Sequence, residues 1–181
     1  IADYRGVAGV PKMIHIWKPV NAADGTGAAE YVDTGLEIAT PDTGQYDPFA
    51  VAVGPDDNVW IGEYTTGVVA TAPPVPPTGT SVTATTQITG VGSVRGITVV
   101  GPITNAQLYL TGTTTFVKKY TGSAPDPATP GAFTLIYNTT VPVAYGPYGS
   151  AVDLDGNLYL VTKSSAAGSD AFIKLDPSGN I

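Results

Sequence analysis

Asp47-Pro48-Phe49-Ala50-Val51-Ala52-Val53-Gly54-Pro55-Asp56-Asp57-Asn58-Val59-Trp60-Ile61 recurs later in the chain as Gly146-Pro147-Tyr148-Gly149-Ser150-Ala151-Val152-Asp153-Leu154-Asp155-Gly156-Asn157-Leu158-Tyr159-Leu160. A fainter copy runs from Arg95-Gly96-Ile97-Thr98-Val99-Val100 to Gln107-Leu108-Tyr109-Leu110. Aligned on Asn58, Gln107 and Asn157, the copies return about every 50 residues. Filled with short alternating strands, a period of that size points to an all-β chain, a β-propeller of four-stranded blades.

The best-defined unit sets the register. Residues 50–53 form a short apolar run, which fits an inner strand covered on both faces by neighbouring blades. Pro55-Asp56-Asp57-Asn58 is turn chemistry, because Asp and Asn tolerate positive φ and cap their own turns. Residues 59–64 make a second strand, 67–71 a third, and 81–88 alternate as a polar outer fourth. The next unit repeats the order at 96–100, 108–111, 114–120 and 133–138, and the last at 150–154, 158–162 and 171–175. At the front, Ile1-Ala2-Asp3-Tyr4 matches Ile61-Gly62-Glu63-Tyr64, with 13–17 and 31–38 as third and fourth strands.

The expected division is a partial blade over 1–40, blades over 47–88 and 94–139, and a partial blade over 147–181. That is roughly three and a half blades, where closed propellers have about four to eight. The expectation is therefore an incomplete segment of a larger chain, with two copies completing one ring as the competing arrangement. Trp60, Tyr109 and Tyr159 are the large side chains expected to pack between blades.

Composition narrows the function classes. Of 181 residues, 43% are hydrophobic and only 13% charged, so the chain folds and does so with few ion pairs. A net charge of −7 speaks against nucleic acid, whose phosphates call for clustered Lys and Arg. Lys118-Lys119, the one basic pair, reads as two lysines at the polar edge of a strand. With no Cys there is no disulfide framework, thiolate nucleophile or cysteine metal site. No apolar run approaches the ~20 residues of a membrane span, and Ile1-Ala2-Asp3-Tyr4-Arg5 is not a signal peptide. Low charge, Thr/Gly/Ala richness and the sequon Asn138-Thr139-Thr140 lean towards a secreted, extracellular or periplasmic protein.

The two strong copies, 48–61 and 147–160, resemble NHL-type blades, especially those of streptogramin B lyase-like propellers. Residues 172–181 are similar to the third-strand hairpin of such blades, whereas 94–139 match poorly. The resemblance implies a fold shared by lyases, lactonases and plain binding proteins. In the lyase-like enzymes it implies histidine and glutamate around a metal at the channel mouth. Here the only histidine, His15, falls on a third strand, and Glu30, Glu37 and Glu63 fall on strands two or four. Catalytic residues of that kind would have to lie on blades outside this sequence.

Other candidate chemistry is sparse. Asp153-Leu154-Asp155-Gly156-Asn157 begins like a calcium loop, with Asp153 and Asp155 as weak ligands, but position twelve is Ser164 rather than a bidentate Glu. Turn chemistry between strands one and two, shared with Asp56-Asp57-Asn58 of the earlier copy, is the reading that explains both segments. Phe49, Arg95 and Tyr148 occupy equivalent positions at the entrance to an inner strand, with Asp42 and Asp47 in the adjoining connection. They form an aromatic–cation–aromatic arc on the face where propellers hold ligands, and Arg95 at a strand start needs a partner or a ligand. Plugging the space between blades is the plainer role for the two aromatics. The connections 18–29, 72–80 and 121–132 are long, and the latter two are rich in Pro. Stiff rim loops of this kind suit contact with a protein, a cell-surface polymer or another copy of the chain. No phosphate-binding Gly loop or nucleophile elbow is present. The expected function is thus a non-catalytic extracellular binding or structural module. The alternative is a lyase-like or lactonase-like metal-dependent enzyme with its catalytic residues elsewhere.

Overall fold

The computed structural model describes residues 13–19, 31–41, 47–74, 81–113, 115–142, 147–162 and 170–181. Its strands, in chain order, are β1 (Met13–Pro19), β2 (Tyr31–Ala39), β3 (Pro48–Val53), β4 (Val59–Glu63), β5 (Val69–Ala72), β6 (Val82–Thr83) and β7 (Thr85–Ile88). They continue as β8 (Val94–Val100), β9 (Ala106–Gly112), β10 (Phe116–Ser123), β11 (Ala132–Thr140), β12 (Pro147–Val152), β13 (Leu158–Thr162) and β14 (Phe172–Leu175). The protein is all-β. The sole helical element among the described residues is one 3-10 turn, Ile103–Asn105, and no helix there is long and apolar enough to cross a membrane.

The strands form four sheets, none closed on itself among the described residues: β1-β2-β6, β3-β4-β5-β7, β8-β9-β10-β11 and β12-β13-β14. All pairings are antiparallel except β2 with β6. The second and third sheets are thus four-stranded meanders about 50 residues apart in the chain. The opening Ile1-Ala2-Asp3-Tyr4 lies outside the described residues.

Burial explains the order of sheets. Ile14 and Ile38 of the first sheet pack with Val59, Ile61, Ala70 and Ala72 of the second. From the other face of the second sheet, Trp60, Val69 and Ile88 meet Val94, Leu108, Leu110, Phe116 and Tyr120 of the third. Tyr109 and Val117 then leave the third sheet to meet Leu158, Leu160, Ile173 and Leu175 of the fourth. Alternate residues of one strand point to opposite faces, so a strand covered on both sides buries every position, and any polar side chain on it must be hydrogen-bonded internally. Every residue of β4 is buried. Trp60, fully buried, meets Phe133 edge-on at 5.7 Å.

Four sequence expectations need correction. The strand covered on both faces is β4 rather than the run 50–53: β3 is an edge strand, and Val51 and Val53 are 41% and 61% exposed. Of the three large aromatics, Trp60 and Tyr109 are buried between sheets, but Tyr159 is only half-buried, on the outer face of the fourth sheet. The outer strand expected over 81–88 is two pieces. Ala84, buried, donates its N–H to Ala39 O, which draws β6 into a parallel pair with β2 while β7 stays on β5. Lys118 and Lys119 lie on β10, an interior strand with β9 and β11 on either side. Lys118 Nζ donates to Val91 O at 2.6 Å, and Lys119 Nζ sits 5.1 Å from the Tyr109 ring, so aliphatic stems are buried and charges are met locally.

Candidate functional site

The first strand of each of the last three sheets carries the same defect. The ladder of β3 on β4 shifts between Pro48 and Ala50, that of β8 on β9 between Val94 and Gly96, and that of β12 on β13 between Pro147 and Gly149. In each case one residue has no partner across the ladder: Phe49, Arg95 or Tyr148. A bulge of this kind re-aims the side chain of the extra residue out of the strict alternation. The three residues that sequence equivalence singled out are therefore the three bulged residues.

The strands that carry them lie side by side. β8 packs against β3 on one flank and β12 on the other, and Thr98 Oγ1 of β8 bonds both Ser150 O (3.0 Å) and Ser150 Oγ (2.6 Å) of β12. Gly96 allows this approach, since a Cβ there would lie 2.8 Å from Tyr148 O. The result is a row of side chains across three sheets. Phe49 stacks on Tyr64 at 5.4 Å, the Arg95 guanidinium lies 5.7 Å from the Tyr64 ring and 4.9 Å from the Tyr148 ring, and Arg95 Nη1 donates to Tyr148 Oη at 2.8 Å. Both rings are within cation–π range. Among the described residues this is the one hydrogen bond that the guanidinium makes, and its buried Nε finds no acceptor.

Tyr64 was not singled out from sequence, where it passed as the end of a strand. It owes its place to Glu63, whose carboxylate is fully buried yet saturated with donors. Glu63 Oε1 accepts from the backbone N–H groups of Asp47 (2.8 Å) and Thr65 (2.6 Å). Its Oε2 accepts from Thr66 N–H, Gly67 N–H (2.9 Å) and the Thr66 hydroxyl (2.6 Å). Tyr64 N–H in turn donates to Asp47 O at 2.9 Å, and the Thr65 hydroxyl donates to Asp47 Oδ2. Glu63 thus ties the 64–67 turn to the start of β3, and the turn holds the ring beside Arg95. The sequence signal was a lone carboxylate in an apolar strand followed by Thr65-Thr66-Gly67, residues that turn on such an acceptor. Asp47 belongs to this clasp, while Asp42 lies outside the described residues.

The remaining candidates sit elsewhere. Asp153 Oδ1 accepts from the N–H groups of Asp155 (3.0 Å) and Asn157 (2.9 Å), and Oδ2 from Asn157 Nδ2 (2.8 Å) and Tyr159 Oη (2.9 Å). These bonds, the Asn157 amide first, lower its pKa from 3.8 to about 2. Both oxygens are therefore engaged in closing the β12–β13 hairpin, where Gly156 has φ 82° and its counterpart Asp57 has φ 61°. Asp176 closes the hairpin after β14 in the same way, through Asn180. Asp155 is exposed. Among the described residues no three His, Cys, Asp or Glu side chains gather as a metal site. His15 Nδ1 lies 3.4 Å from Glu37 Oε1 on the first sheet, away from the Arg95 row.

Of the long connections, 20–30 and 75–80 lie outside the described residues. The third is tied down at both ends: Ala124 N–H donates to Ile103 O, and Gln87 of β7 bonds Gly131 N–H (2.6 Å) and Thr129 O (3.2 Å). Asn138 is exposed on β11, the edge strand of its sheet. Compared with known proteins, the chain matches no family model, no curated protein and no solved structure.

Proposed function

We propose that this chain is a segment of a β-propeller, of the NHL type that its repeats resemble, acting outside the cell as a non-catalytic binding module. Two observations support the propeller reading: consecutive meanders stack face to face around three cores, and their first strands β3, β8 and β12 lie adjacent. The site is the bulge face, and its ligand is an anionic group on a protein or a cell-surface polymer. The row Phe49–Tyr64–Arg95–Tyr148 carries that reading. A guanidinium held between two rings is pre-oriented, so little side-chain entropy is lost when its free edge takes a carboxylate. The flanking rings offer flat apolar surface to the rest of the ligand.

The test is to screen the protein against acidic peptides and uronate oligosaccharides, then titrate the best probe into Arg95→Ala by calorimetry. Arg95→Ala is expected to weaken the probe by about tenfold to a hundredfold, the scale of one charge-assisted pair. Equal binding by the variant, or no acidic probe that binds the parent protein, would refute the assignment.

A further inference from the structure

Among the described residues, no sheet covers one face of the fourth sheet or one face of the first. On the fourth sheet, β13 and β14 set Tyr159 opposite Lys174 and Val161 opposite Phe172. Phe172 is 70% and Val161 53% exposed, and with Gly149, Ala151 and Tyr159 they line a shallow depression of about 270 Å³. Lys174 is exposed at its margin, its Nζ 5.5 Å from the Tyr159 ring. The repeat makes Tyr159 the counterpart of Trp60 and Tyr109, which are 0% and 1% exposed beneath the sheet that follows each. The Tyr159 face is a sheet-packing face whose cover is missing among the described residues.

The first sheet shows the opposite surface. Ile14 and Ile38 face the second sheet, so His15, Trp17, Asp33 and Glu37, of the other parity in the same ladder, face away from it. Trp17 is 43% exposed. His15 Nδ1 lies 3.4 Å from Glu37 Oε1 and 3.9 Å from Asp33 Oδ2, so two carboxylates gather on this face.

We propose that the open face of the fourth sheet docks on the open face of the first sheet of a second copy of this chain. The order is the one already used three times within the chain, where the following face of one sheet meets the preceding face of the next. Charge agrees with it: Lys174 meets the Asp33 and Glu37 side, while Phe172, Val161 and Tyr159 meet Trp17. Such a contact is heterologous, and two copies that make it twice close on themselves. A scattered apolar side chain is ordinary, but aromatic and aliphatic groups gathered on one face mark an interaction surface.

Analytical ultracentrifugation of the chain between about 1 and about 100 μM tests the proposal at ordinary protein–protein affinities. The expected species has twice the 18.5 kDa mass of one chain. Lys174→Glu and Glu37→Lys are each expected to weaken it by about tenfold or more through like-charge contact, and the double variant to regain the parent affinity. Both positions are exposed or half-buried, and circular dichroism checks that the variants fold. A monomer throughout the range would overturn the proposal and leave the face to another segment or partner. So would a dimer that neither single substitution weakens, or a ladder of larger species in place of a closed pair.

Discussion

Replacing Glu63 by Gln removes one charge and turns one acceptor oxygen into a donor at the centre of the 64–67 turn. Oε1 serves two backbone N–H groups and Oε2 serves two more with a hydroxyl. Whichever oxygen becomes the amide nitrogen, two backbone N–H groups then face a donor inside a fully buried pocket. An orphaned buried donor costs about 1–3 kcal/mol, so the expected loss is about 4 kcal/mol. Urea denaturation followed by tryptophan fluorescence measures it, since Trp60 is on the same strand as Glu63. The variant is also expected to lose acidic-ligand binding, because Tyr64 and the start of β3 are released together. A loss below about 1 kcal/mol would mean that water or a shifted backbone replaces the carboxylate at little cost, and that the clasp does not position the ring.

Two further outcomes follow from the packing and the hairpins. Trp60→Ala is expected to cost about 3–5 kcal/mol, as for large aromatics in cores, and a loss under 1 kcal/mol would contradict the packing between the second and third sheets. Asp153 has a folded pKa of about 2 against an ordinary 3.8, so its bonds favour the folded state fully above the ordinary value and are lost as pH falls towards 2. The stability difference between the parent protein and Asp153→Ala should accordingly be constant above about pH 5 and shrink below about pH 4, read from urea midpoints across that range. A difference independent of pH would show that the Asp153 hairpin bonds are not made by a carboxylate.

Much of the all-β reading was legible because it depends on local periodicity. Twelve of the strands overlap one expected segment each, with ends displaced by a few positions; the other two, β6 and β7, are the halves of what reads as one strand. What local pattern cannot carry is pairing. The break at Ala84 depends on Ala39, more than forty residues earlier, and nothing in 81–88 announces it. The equivalence of Phe49, Arg95 and Tyr148 was visible from the repeat, but their bulges were not, since a bulge exists only relative to the partner strand. Tyr64 and Glu63 were missed for a related reason: their roles lie in bonds to the start of β3, across a hairpin. Lys119 misled because a charged residue in sequence looks exposed, whereas a long stem laid on Tyr109 buries it.

The bulged residues have a consequence for redesign. The side chain of a bulged residue has no cross-strand partner to match, so exchanging it removes no cross-strand pair. Phe49, Arg95 and Tyr148 are three such positions on three separate sheets, all presented on one surface. The scaffold therefore behaves as a socket with three interchangeable pins. Its recognition chemistry can be rewritten one sheet at a time while the cores beneath Trp60 and Tyr109 stay as they are.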